Sequence, residues 1–334
     1  MRPEFTGKPE FMQLAAEQKR RSFPLVAELL IFYLVHTVAS LAIGIIVSVP
    51  MLIWLFSGEQ AAQLMQAEAP ASLMDTILRL LQQMPDWLAA LIVACNALLG
   101  VAAILYCKCF EKREIRTLGL TGPHGARSYF LGAAIGAASF AAVFGLCAAF
   151  GGVAIRGVQP LQSLLPTLLL MLVVYVVQSA GEELLTRGYL MVSLSKRYRL
   201  PVCIGISSVV FALLHTGNYG VQPLALLNIL LVGVVLALIV LLTGDLWAAC
   251  GYHALWNFFQ GNVFGLPVSG LGSASSLFSV EVTGYNQLLT GGDFGLEGSL
   301  SATLILLAEL GVLIYLLSRR QPEPDPTAGE TQSE

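Results

Sequence analysis

The sequence predicts an all-α polytopic membrane protein of about eight transmembrane helices. Three observations predict it. Of the 334 residues, 56% are hydrophobic. Only 12% are charged, 18 Lys and Arg with 21 Asp and Glu, against roughly a quarter in an ordinary soluble domain. Finally, apolar runs of about 20 residues, the length that crosses a hydrocarbon core, recur along the chain. This composition excludes a soluble globular domain and a disordered chain. It also excludes a nucleic-acid binder with a basic face and a disulfide-stapled secreted domain. The net charge of −3 carries little information, because in such a chain the placement of charges matters more than their sum.

The spans follow in order. Residues 1–24 form a polar N-terminal segment. The first run, 25–56, starts after Pro24 and carries Pro50 as a kink or end; it is too long for a signal-peptide core and reads as a retained anchor. Spans at 87–106 and 129–150 complete an N-terminal membrane region over 25–160. Between them, 72–84 places Leu73, Met74, Ile77, Leu80, Leu81 and Met84 at helical spacing, as in a helix lying on a membrane surface or packing as a lid. Residues 161–264 form a second membrane region, helices 4 to 7, with spans at 164–194, 202–214, 223–242 and 246–264. The second of these is short. The last is interrupted by His253, Asn257, Gln260 and Asn262, so both should be shielded from lipid. A Gly- and Ser-rich loop without Lys or Arg covers 265–299, and no structure is assigned to it. A last span, 300–318, precedes an acidic, disordered tail at 319–334.

Basic residues fix the orientation. With the N-terminus in the cytoplasm, sixteen of the eighteen Lys and Arg fall on cytoplasmic segments. Only Arg79 and Arg156 fall outside. Both termini are therefore expected in the cytoplasm; the membrane itself is expected to be the plasma membrane of a bacterium. The six cysteines lie in or beside spans and read as small buried hydrophobes. No internal repeat supports an inverted-repeat transporter.

Ionisable groups inside spans are functional candidates by default, because holding them there is costly. Glu28 lies near a helix end and can snorkel. His36 and Glu309 stand alone and read as satisfied packing residues. The rest form a pattern: Glu182, Glu183 and Arg187 on one span, Phe211 and His215 on the next, His253 and Asn257 on a third. Glu183 and Arg187 are four apart and share a face, whereas Glu182 is turned about 100° away. One carboxylate can thus be neutralised by its own helix while the other is offered to a neighbour. His253 and Asn257 project from one face as two donors. Phe211 reads as packing.

A carboxylate beside an imidazole in an apolar site can take a proton from water. Two donors aimed at one point can stabilise the oxyanion formed when that water attacks a carbonyl. Together these parts suffice for peptide-bond hydrolysis. The E-E-x-x-x-R, F-x-x-x-H and H-x-x-x-N elements, in this order on successive membrane helices, resemble the CPBP intramembrane proteases. That group contains the CAAX prenyl endopeptidases of Ras-converting type and relatives linked to bacteriocin processing and self-immunity.

The resemblance implies Glu182 as general base acting with His215, His253 and Asn257 as the oxyanion-stabilising pair, and Glu183 and Arg187 as supports. It implies a metal-independent glutamic endopeptidase with no cofactor, its catalytic core in helices 4 to 7, residues 161–264. Its partners would be a membrane-associated peptide or protein substrate and the lipid bilayer, with no nucleic acid. One departure is Thr186, where many members carry an aromatic residue. Helix counting leaves a mismatch in depth: His215 lies about 15 residues into its span, roughly 22 Å, and His253 only about 7 residues into its own. Competing readings are a non-proteolytic scaffold or immunity-type protein, a metal-dependent membrane protease using the same Glu and His side chains, a proton-coupled transporter, and a polar network that only ties helices together.

Overall fold

The computed structural model describes residues 8–18, 23–66, 76, 80, 84–122, 124–272, 275–284 and 286–320. The segment expected at 72–84 lies largely outside the described residues, as does the tail beyond Arg320. The helices are α1 (Glu10–Glu17), α2 (Leu25–Leu55), α3 (Gly58–Met65), α4 (Asp86–Cys95), α5 (Ala97–Cys109) and α6 (Gly125–Ala149). They continue with α7 (Leu161–Glu183), α8 (Leu200–Leu214), α9 (Pro223–Thr243), α10 (Trp247–Phe258) and α11 (Leu300–Ser318). Helix α7 runs on through a π-helical stretch, Leu184–Met191, and a last turn, Val192–Ser195. Helix α10 likewise continues as a π-helix, Phe259–Val263. Pro50 neither ends nor interrupts α2.

Among the described residues, six runs are long and apolar enough to cross a membrane: 25–55, 86–109, 125–149, 161–195, 223–243 and 300–318. The two weaker segments form helices too, but shorter ones. Helix α10 is buried along almost its whole length, as its polar groups require. Helix α8 is shielded on one face only and exposes Val202, Val209 and Leu213, apolar side chains that suit lipid. The exterior of the long helices is rich in apolar side chains, with Leu30, Leu34, Leu41 and Ile45 of α2 and Leu304, Leu307 and Val312 of α11 exposed. The interior holds Gln178, Glu183, Arg187, Asn228, Asn257 and Gln260. That inverted distribution is what a bilayer, rather than water, stabilises.

The connections sort into two sets. Lys8 reaches the Ser195 carbonyl, Lys196 pairs with Glu111, Leu246 N donates to Gly119 O, and Arg320 donates to Leu241 O. At the other end Asp86 joins Ser275, Asn218 joins Ser269, and Gln222 joins Gly291. There the all-α expectation meets an exception. Strands β1 (Val153–Val158) and β2 (Phe278–Val282) pair antiparallel, Val153 opposite Val282 and Val158 opposite Phe278, with a bulge between Ile155 and Gly157. The described residues of the loop at 265–299 are therefore structured, and they fold back against the bundle.

Glycines set the helix spacing near the centre. A Cβ on Gly132 would lie 1.9 Å from Ala248 O, one on Gly136 2.1 Å from Tyr252 O, and one on Gly251 2.1 Å from Tyr129 O. This G-x-x-x-G seam, unread in the sequence, brings α6 against α10 backbone to backbone. A second contact lies beside the first glutamate: a Cβ on Gly181 would stand 2.6 Å from Asn96 O, where the break between α4 and α5 falls.

Candidate active site

A cavity of about 380 Å³ lies among α2, α4, α7, α8, α9, α10 and the loop after α10. Glu182, His215, His253 and Asn257 all line it. The two glutamates divide as their helical angle requires. Glu183 is fully buried and its Oε1 accepts from Arg187 Nη1 at 2.8 Å and from His253 Nδ1 at 3.1 Å. Glu182 turns to the cavity: its Oε1 accepts from Gln178 Nε2 at 2.5 Å. Its Oε2 is buried with no hydrogen-bond partner among the described residues. His253 Nε2 stands 3.8 Å from that oxygen, beyond hydrogen-bond reach. The imidazole of His253 thus sits between the two carboxylates.

Arg187 is locked away from the cavity. Besides Glu183, it donates to Thr186 Oγ1 at 2.8 Å and, through Nη2, to Gly233 O of α9 at 3.0 Å. Its guanidinium lies 4.5 Å over the Phe211 ring, a cation–π contact. Phe211 also meets His215 and His253 edge-on, so its ring packs against the site's charged groups. Thr186, the departure noted above, donates to Glu182 O at 2.7 Å and joins the network through its hydroxyl. The π-helical stretch begins one residue after Glu183, a distortion common at functional sites.

His215 caps α8, and its Nδ1 faces Phe211 O at 2.8 Å. A carbonyl only accepts, so Nδ1 is the nitrogen that donates to it, and in the neutral ring Nε2 is then the acceptor. The depth mismatch resolves in the ends of the helices. Leu246 stacks near Gly188, and α7 continues past that level through Val192–Ser195 before α8 begins. The seven residues 189–195 add about 10 Å at 1.5 Å per residue, which offsets the start of α8 from that of α10. His215 and His253 consequently meet at one cavity.

Several site residues carry signals that the motif reading passed over. Gln178, four residues before Glu182, links two helices: Asn257 Nδ2 donates to Gln178 Oε1 at 3.1 Å, and Gln178 donates to Glu182. A buried amide one turn before Glu182, on the same face, was the available signal. His36 of α2 lines the cavity, with Ser40 Oγ 3.4 Å from its Nε2. Glu28 is buried at 2% exposure and does not snorkel. Glu309 is satisfied as expected, by Ser139 and by Tyr252 Oη at 2.7 Å. Glu297 and Ser269, from the loop left without structure, also line the cavity. Burial pushes the Glu297 carboxyl above the usual carboxylate range, against the lowering effect of its hydrogen bonds from Ser269. Among the described residues, no group of three or more His, Cys, Asp or Glu is arranged to hold a metal ion.

Residues 164–259 match the family model of Rce1-like proteins, type II CAAX prenyl endopeptidases. No curated protein and no solved structure matches the chain. The matched segment contains Glu182, Glu183, Arg187, His215, His253 and Asn257, and over these residues the chain is similar to the CPBP/CAAX proteases, hydrolases of peptide bonds.

Proposed function

We propose that this chain is an intramembrane endopeptidase that cleaves a membrane-associated peptide or protein with water activated by Glu182 and His215. The observation that carries the reading is the open Oε2 of Glu182, buried, without a hydrogen-bond partner among the described residues, and facing a cavity shared with both histidines. A buried carboxylate oxygen in a polar cavity calls for a donor, and water supplies one. His215 Nε2, the acceptor of the neutral ring, lines the same cavity and can hold the same water.

The water oxygen attacks the carbonyl carbon of the scissile bond while Glu182 takes its proton. The tetrahedral oxyanion then meets donors on α10. Asn257 spends one amide proton on Gln178 and has a second for the oxyanion. His253, giving Nδ1–H to Glu183, can direct a proton on Nε2 at the same point. The C–N bond breaks as Glu182 passes its proton to the leaving amine, which restores the site. Glu183 and Arg187 hold His253 in place.

The sorting of loops into two ends, with Lys8, Lys108, Lys112, Arg116, Lys196, Arg199 and Arg320 at one and Arg156 at the other, supports eight crossings with both termini in the cytoplasm. The experiment compares the membrane-fraction peptidome of cells carrying the wild type and Glu182→Ala. A peptide that accumulates uncut with the variant is expected; identical peptidomes, with normal function of Glu182→Ala and His215→Ala in cells, would sink the reading.

A further inference from the structure

We propose that Glu297, from the loop beyond the family-matched segment, is a positioning residue of this site that sets His215 against the His253 and Asn257 face of α10. The inference rests on the proteolytic reading above and extends its machinery outside residues 164–259.

An acid in a Gly-rich loop ordinarily stays in water. Glu297 is instead 6% exposed and fully engaged. Trp256 Nε1 donates to its Oε1 at 3.2 Å, and Ser269 donates to its Oε2 twice, from the backbone at 2.9 Å and from Oγ at 2.7 Å. Its main chain is fixed as well: Asn228 Nδ2 of α9 donates to Glu297 O at 2.7 Å and to Ser299 O at 2.8 Å.

Each of these contacts leads back to the chemistry. Trp256 lies three residues past His253 and directly before Asn257, so the indole bond braces the helix that carries both donors. On the other side, Ser269 O accepts from Asn218 Nδ2 at 2.9 Å, and Asn218 N donates to His215 O at 3.1 Å. An unbroken series of hydrogen bonds therefore runs from His215 through Asn218, Ser269 and Glu297 to Trp256. Asn218, Ser269, Trp256 and Glu297 all line the cavity.

The turn in this series is held under strain. Ser269 has φ 48°, a conformation unfavourable to a residue with a Cβ, which persists only where the surroundings enforce it. Gly270 has φ 85°, and a Cβ there would lie 2.2 Å from Tyr219 O. Three donors converge on Glu297, so the position needs a side chain that only accepts; an amide would turn its NH2 toward a donor. The titratable groups facing it are His215, His253 of α10 and Tyr175 of α7, and its charge is set beside both imidazoles.

The test uses the full chain in membranes, with the peptide that accumulates under Glu182→Ala as substrate. Glu297→Gln should lower kcat about tenfold to a hundredfold, as misplaced catalytic groups do, with KM nearly unchanged and the acid limb of the pH profile displaced. Glu297→Asp, which keeps the acceptor, should recover part of the rate. Ser269→Ala should fall between and keep the wild-type acid limb; it also serves if Glu297→Gln does not fold. A second arm needs no turnover: site-resolved alkylation of Leu271→Cys by N-ethylmaleimide should speed up about fivefold or more once Glu297→Gln releases the turn. Wild-type kcat and acid limb in Glu297→Gln would overturn the proposal. If no peptide accumulates under Glu182→Ala, the proteolytic reading fails on its own, and unchanged alkylation would overturn the Glu297 clasp independently.

Discussion

Glu183 Oε1 accepts from His253 Nδ1 at 3.1 Å, and the same oxygen accepts from Arg187 at 2.8 Å. One buried carboxylate therefore fixes a histidine on α10 and neutralises an arginine on its own helix. Both members of the Glu183 and Arg187 pair have side chains 0% exposed. Removing one partner of such a pair leaves an uncompensated charge and costs about 3–5 kcal/mol. Arg187→Met is thus expected to lower unfolding stability in detergent by about that amount. The double variant with Glu183→Leu should recover a large part of it, because both charges leave together. Equal stability of the single variant and the wild type would contradict the pairing.

Gln178 connects Asn257 to Glu182, so its loss should act on both. Gln178→Ala is expected to lower the cleavage rate about tenfold, and combining it with Asn257→Ala should cost less than the sum of the two. Strict additivity in the double-mutant cycle would show that the relay does not couple the two residues.

The parts of this site that were legible in the sequence are those fixed by spacing along one helix. Glu183 with Arg187 and His253 with Asn257 each sit four residues apart, so helical geometry alone predicts a shared face. The turn of Glu182 away from Glu183 follows from the same count. What crosses between helices was not legible, since Gln178 with Asn257 and Glu297 with Trp256 depend on the relative depth of helices. That depth is set by how the ends of neighbouring helices are offset; the span expected at 164–194 already reaches nearly to Ser195, but its level relative to α8 and α10 cannot be read from periodicity. The loop at 265–299 was opaque for another reason. Its turns rest on glycines at positive φ, among them Gly265, Gly270, Gly291 and Gly295, and on a strand whose partner lies more than a hundred residues away. Local pattern carries no trace of that pairing.

Asp245, in the turn between α9 and α10, gives a pH dependence with a definite sign. Burial pushes its carboxyl above the usual carboxylate range, although Ser128 Oγ at 2.9 Å and Trp247 N at 3.0 Å donate to it. A carboxyl raised on folding contributes stability that is fully present below its ordinary value, about 3.9, and is lost as pH rises through the folded value. Asp245→Asn keeps an accepting oxygen and cannot ionise. Its unfolding temperature relative to wild type should therefore rise with pH across the mildly acidic range and then level off. A difference that stays flat or falls with pH would refute the assignment.

The glycine seam that seats α10 against α6 should be the most sensitive packing contact outside the charged network. Gly136→Ala would place a methyl carbon 2.1 Å from Tyr252 O, so the helices must separate at the residue next to His253. Overpacking of this kind costs about 1–3 kcal/mol, and the displaced α10 would carry His253 away from Glu183. Gly145 lies on the same helix, and a Cβ added there would meet nothing within 4 Å. Gly145→Ala should accordingly be neutral or raise stability by up to about 1 kcal/mol through helix propensity alone. The pair separates close packing from composition, since both substitutions add the same methyl group to the same helix. Thermal unfolding of the two variants in one detergent decides it: a similar loss in both would mean that α6 tolerates no added methyl anywhere, and the seam would lose its special role in seating His253.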